Sequence, residues 1–148
     1  MPPDTLSRRT LLLAGISLLA ACRHDSPPAS PAAHRALEIL ELSPGAGDGI
    51  RDGQTAAVDY MGWLFDPDAP EHKGRLFDSS QASGAPLKFQ LGAGQVIQGW
   101  DQGILGMKTH GRRRLVIPPQ LAYGDRGAGG VIAPGATLVF DVELVSIE

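Results

Sequence analysis

Residues 86–107 read PLKFQLGAGQVIQGWDQGILGM. Two periodicities meet in this stretch. Leu87, Phe89 and Leu91 alternate with polar or small residues, the period-two pattern of a strand with one buried face. Beyond Gly92-Ala93-Gly94 the period changes. Ile97, Trp100 and Ile104 fall at i, i+3 and i+7 on one helical face, which predicts a helix over Gln95–Leu105. Gly99, Gly103 and Gly106 weaken it, so the expectation is a short helix packed on a sheet.

Working outward, the chain reads as short strands between strong turn signals. Leu37, Ile39 and Leu42 belong to a first strand that ends at Ser43-Pro44-Gly45. Thr55–Phe65 is a longer second strand, with Ala56, Val58, Tyr60, Gly62 and Leu64 on one face. Asp66-Pro67-Asp68-Ala69-Pro70 opens a loop running to about Gly74, followed by Phe77-Asp78-Ser79-Ser80. Arg113–Ile117 is a further strand, stopped by Pro118-Pro119. A glycine-rich loop spans Tyr123–Gly135. In the closing strand, Thr137–Ile147, Leu138, Phe140, Val142 and Leu144 face one way and Asp141 and Glu143 the other. About five strands and one short helix predict an α+β domain with the helix on one sheet face.

The chain has 148 residues, enough for one domain plus extensions. Its 19 Gly and 12 Pro favour turns and short strands. The formal net charge of -3 gives no basic face for nucleic acid. The one basic run, Arg112-Arg113-Arg114, reads as a solvated strand start. Other chemistries fail on inventory. Gly92-Ala93-Gly94 lacks the third glycine of a dinucleotide loop, and no phosphate-loop lysine motif is present. His72 and His110 have no His or Cys at metal-ligand spacing. Ser79, Ser80 and Ser83 have no obvious histidine to activate them.

The single cysteine, Cys22, follows an apolar or small run, Leu11–Ala21, interrupted only by Ser17. That run is too short to span a bilayer, which takes about 20 residues. Behind Arg8-Arg9 it fits the apolar core of a signal peptide over residues 1–21. The paired arginines resemble a twin-arginine export signal; Leu11 stands where that signal usually has Phe, which leaves the general secretory route open. Leu19-Ala20-Ala21-Cys22 resembles the lipobox of bacterial lipoproteins. The resemblance implies cleavage before Cys22 and a lipid on its thiol, anchoring the mature chain on the periplasmic side of the envelope. Arg23, not Asp, follows, which favours the outer membrane. Residues 22–35 then form the lipidated cysteine and a Pro/Ser/Ala-rich linker, in which His24 and His34 are solvated. The globular domain is residues 36–148.

Five stretches of that domain together resemble the FKBP family of prolyl isomerases: VDYMGWL at 58–64, RLFDSS at 75–80, PLKFQLGAGQVIQGWDQGILGM at 86–107, PPQLAYG at 118–124 and IAPGATLVFDVELVSI at 132–147. They run in the family's order. The resemblance implies a curved antiparallel sheet wrapped around a short helix. It implies a pocket with Trp100 as floor and Tyr60, Phe77, Val96, Ile97, Tyr123, Ile132 and Phe140 as walls, Asp78 being its acidic group. The Ile97 N–H and the Tyr123 hydroxyl would hold the peptide's carbonyls. Leu87 stands where the family commonly has an aromatic, Val131 where it often has Ile, and Ala133 breaks a Pro-Pro pair. The loop Asp66–Gly74 is longer than in minimal members. These departures bear on substrate preference and drug affinity rather than on activity.

The activity so implied is cis-trans isomerisation of Xaa–Pro bonds in proteins folding in the bacterial envelope. Amide rotation has a barrier of ~18–20 kcal/mol because twisting destroys C–N resonance. The catalyst must favour the twisted amide over both planar forms. An apolar, aromatic pocket suits the less polar twisted carbonyl, with Tyr60, Asp78 and Tyr123 as the catalytic polar set. Asp78 either orients Tyr60 or faces the rotating carbonyl carbon. No covalent intermediate, metal or cofactor is called for. The expected partners are proline-containing clients, macrolide inhibitors and the membrane through the lipid, and the expected state is monomeric. The competing reading is a non-catalytic peptide-binding or chaperone module on the same fold. The polar set discriminates against it.

Overall fold

The last strand sets the core. In β6 (Leu138–Ile147), Leu138, Phe140, Val142 and Leu144 are all buried, as the alternation predicts. The structure, a computed structural model, describes residues 36–148. The expected signal peptide, Cys22 and the linker to residue 35 lie outside the described residues. The remaining elements are β1 (Glu38–Ser43), β2 (Thr55–Phe65), β3 (Lys73–Ser79), α1 (Ser80–Ser83), β4 (Leu87–Gln90), α2 (Gln98–Ile104) and β5 (Arg112–Ile117), with short 3₁₀ turns at Pro70–His72, Pro119–Leu121 and Gly124–Arg126. The strands form one antiparallel sheet in the order β1-β5-β6-β2-β3. β4 also pairs with β2, so β3 and β4 follow one another along the same edge of that strand.

β3 was not expected as a strand. The loop assigned to Asp66–Gly74 ends at His72, and pairing with β2 begins at Lys73. The reason is a β-bulge. Gly62 pairs with Asp78 but Trp63 pairs with Leu76, so Phe77 is the extra residue. A bulge breaks the period of two, and with it the signal by which a strand is read. Along β3 only Leu76 and Phe77 are apolar, and they are adjacent.

The helix α2 is shorter than expected, because Ile97 is extended (φ -59, ψ 148) rather than helical. Trp100 and Ile104 point into the core, packed with Leu115, Ile117 and Phe140. Gly99 and Gly103 are the reason that the helix lies so close to β5. A Cβ on Gly99 would strike the Ile117 side chain, and one on Gly103 would lie 2.7 Å from Leu115 Cδ1. The glycines that weaken the helix in isolation are what let it dock.

The reading of Arg112–Arg114 as a solvated strand start is corrected for two of the three. The Arg113 and Arg114 side chains are 15% and 12% exposed, whereas Arg112 is 55% exposed. Arg113 donates to the carbonyls of Gly103 (2.9 Å) and Leu105 (2.8 Å), satisfying the free end of α2, and pairs with Glu41. Arg114 donates twice to Asp141, at 2.7 and 2.9 Å, and pairs with Glu71. Lys73 pairs with both acids, closing a four-residue ring of charge on the outer face. Long apolar stems let arginine heads reach partners while the stems are covered.

Candidate active site

On the face of the sheet that carries α2, a cleft of about 210 Å³ opens among β2, β3, β4, β6 and the start of α2. Trp100 lines it at its base and is 3% exposed. Its indole ring meets Tyr60 edge-on at 5.0 Å and Phe140 edge-on at 5.2 Å. Phe77 meets Phe140 at 5.6 Å, again edge to face. Such contacts add to burial and hold each ring in one orientation. Gly62, beneath them, leaves the room: a Cβ there would lie 2.7 Å from Phe140 and 2.9 Å from Phe77. The bulge at Phe77 matters here too. Consecutive strand residues ordinarily point to opposite faces, yet both Phe77 and Asp78 line this cleft.

The polar groups sit at the mouth. The Tyr60 hydroxyl donates to Asp78 Oδ2 at 2.8 Å, and the Ser79 N–H donates to Asp78 Oδ1 at 2.8 Å. Burial, the hydrogen bond to Asp78 and its charge push the Tyr60 phenol well above the ordinary tyrosine range. Tyr123 is 40% exposed at the rim, and burial together with the charge of Asp78 raises its phenol as well. Ile97 presents its N–H from an extended residue, while its carbonyl accepts from Trp100 N at 2.9 Å. Trp100 Nε1 is buried without a protein partner.

Tyr60, Phe77, Asp78, Leu87, Val96, Ile97, Trp100, Tyr123 and Phe140 all line the cleft. Leu87, on β4, lies at its edge and is 40% exposed. Val131 and Ile132 fall outside this lining. Ile132 is buried in the core, and Val131 is exposed on the glycine-rich loop, its carbonyl accepting from Arg75 at 2.8 Å. Gln95 joins the lining and was not singled out from sequence; its Oε1 accepts from Gln90 N at 2.9 Å. A polar residue between Gly94 and Val96 carries no periodic signal that marks it. A wider cleft of about 480 Å³ lies on the other side, lined by Asp59, Lys73, Arg112, Asp141 and Glu143 among others. Of its charged residues, Lys73 pairs with Asp141 and Arg112 with Glu143, and it shares only Tyr60 with the aromatic cleft.

A sheet on one short helix, with an aromatic cleft of about 210 Å³ and two phenols and a carboxylate at its mouth, is a concave site of the class that binds a small apolar group and orients it by a few polar ones. Comparison with known proteins narrows this. The family described as FKBP-type peptidyl-prolyl cis-trans isomerase matches residues 47–145. An FK506-binding protein of Streptomyces anulatus is 52% identical over 124 residues, covering 83% of this chain and 94% of the relative. The peptidyl-prolyl cis-trans isomerase FPR2 of Saccharomyces cerevisiae is 50% identical over 96 residues, 65% of this chain and 67% of that one. The crystal structure of FkpA from Escherichia coli superposes with a TM-score of 0.66 at 41% identity, covering 76% of this chain and 48% of FkpA. The chain belongs to the FKBP-type peptidyl-prolyl cis-trans isomerase family and is an isomerase of that type.

Proposed function

We propose that this isomerase acts on proline-containing polypeptides folding in the bacterial cell envelope, held on the periplasmic side by a lipid on Cys22. One observation carries the location: the only cysteine ends the only signal-like apolar run, in Leu19-Ala20-Ala21-Cys22. Radiolabelled palmitate is expected to enter the wild type and not Cys22→Ser, and the wild type to fractionate with membranes. Equal labelling of both would overturn the anchor.

In the mechanism proposed here, the prolyl ring enters over Trp100, between Phe77 and Phe140. The preceding carbonyl then turns within an apolar surround, where the twisted amide is favoured over the planar one. The Ile97 N–H and the Tyr123 hydroxyl hold the flanking carbonyls, so that only the one bond rotates. Asp78 fixes the Tyr60 phenol at the mouth of the cleft, which supports the orienting role among the two considered for it. Every tenfold gain in rate needs about 1.4 kcal/mol, which is within reach of orientation and apolar contact without proton transfer. FK506-type macrolides fit the same cleft in this reading, with Leu87 leaving one wall less aromatic.

A further inference from the structure

The strand beside β2 is interrupted. β3 pairs with β2 from Phe65 back to Met61, opposite Ser79, and β4 pairs with it over Thr55–Val58, Leu87 lying opposite Val58. Between them, Asp59 and Tyr60 face no strand on that side; α1 begins there instead. A ladder carbonyl is therefore missing at Tyr60. A side chain replaces it: Ser80 Oγ accepts the Tyr60 N–H at 3.1 Å and donates to Asp59 Oδ1 at 2.8 Å. Ser80 is 2% exposed, the one fully buried polar residue among the described residues. A hydroxyl has one proton and two lone pairs. Giving the proton to Asp59 turns a lone pair toward Tyr60. Two residues earlier in the same segment, Asp78 accepts the Tyr60 phenol at 2.8 Å. Tyr60 is thus held at both ends by Asp78–Ser80, its main chain by Ser80 and its hydroxyl by Asp78.

We propose that Ser80, oriented by Asp59, is a positioning residue for isomerisation, fixing the main chain at Tyr60 so that its phenol stays at the mouth of the cleft. This rests on the role proposed above for Tyr60. Without the Ser80 hydroxyl, the Tyr60 N–H loses its acceptor, and strand and ring can shift to recover one. The alternative is a purely local role in the α1 turn, where Ser83 Oγ and Gly84 N donate to the Ser80 carbonyl. That role is independent of the phenol.

The test is a double-mutant cycle on the full chain, reading kcat and KM with an Xaa–Pro peptide for wild type, Ser80→Ala, Tyr60→Phe and the double variant. Ser80→Ala is expected to lower kcat/KM about fivefold, the equivalent of one ordinary hydrogen bond, with the loss in kcat. In the Tyr60→Phe background the same change is expected to cost less than about twofold. Equal losses in both backgrounds would overturn the proposal and leave Ser80 a turn residue. An unimpaired Tyr60→Phe would overturn the role of Tyr60 itself. If Ser80→Ala shows no cooperative thermal transition, Asp59→Ala takes its place in the cycle, since it keeps the hydroxyl and removes the group that orients it. Asp59→Asn, whose amide oxygen accepts the same bond, is then expected to restore activity to within about twofold, and failure to do so would count against the proposal.

Discussion

Tyr60 and Tyr123 are the chain's only tyrosines, and both phenols are raised by their surroundings. For an acid whose native pKa lies above its unfolded value, the protonated form persists in the fold beyond the ordinary ~10. Its contribution to stability is complete below that value and is lost as pH rises through the native one. The cleft contains no histidine, the side chain whose unperturbed titration falls between pH 5 and 8. Catalytic efficiency is therefore expected to stay level from about pH 6 to about pH 9.5. Tyrosinate absorbance should appear at higher pH in native than in urea-unfolded protein. A tenfold change centred near pH ~6.5 would show that a titrating group takes part. At this scale the sequence marked the aromatic lining through its joint pattern, but not the hydrogen bonds behind it. Ser80 and Gln95 carry no periodicity, and what Ser80 does depends on a strand ending beside it.

Among the elements, α2 sets two opposing effects against each other. Gly99→Ala improves helix propensity by about 1 kcal/mol. It also places a methyl group against the buried, β-branched Ile117, and overpacking of that kind costs about 1–3 kcal/mol. Packing is expected to win, so the variant should unfold at lower urea with an unchanged m-value. A stabilised Gly99→Ala would mean that the helix can move off β5 freely. β2 and β6 were legible to within a residue, because each puts a run of alternate residues into the core, although Ala57 and Val139 on the opposite face are buried as well. β3 was not, because its bulge removes the alternation. Arg113 and Arg114 of β5 were misread because their partners come from β1, the end of α2, β6 and the loop before β3, and sequence spacing does not report such distant pairings.

For the molecule as a whole, the charge ring of Glu71, Lys73, Arg114 and Asp141 ties the loop before β3 to β5 and β6. Burial pushes the Asp141 carboxyl up, but hydrogen bonds from Arg114 and Lys73 outweigh it and hold the group below the usual carboxylate range. A depressed acid contributes stability that is present above its unfolded value of ~3.9 and is lost as pH falls through the native one. Asp141→Asn should lower Tm at neutral pH, and the difference from wild type should shrink below about pH 4. A constant difference across that range would assign the loss to packing instead. The sheet order has a consequence for how the protein can be attached to anything. β1, where the described chain begins, and β3, which carries Phe77 and Asp78, stand at opposite ends of the strand path. With neighbouring strands about 4.8 Å apart, four steps separate them by roughly 19 Å. The start of β1 therefore stands at the opposite margin of the sheet from Phe77 and Asp78, two strand steps from Phe140 on β6, so a group placed there does not touch the side of the cleft mouth that β3 supplies.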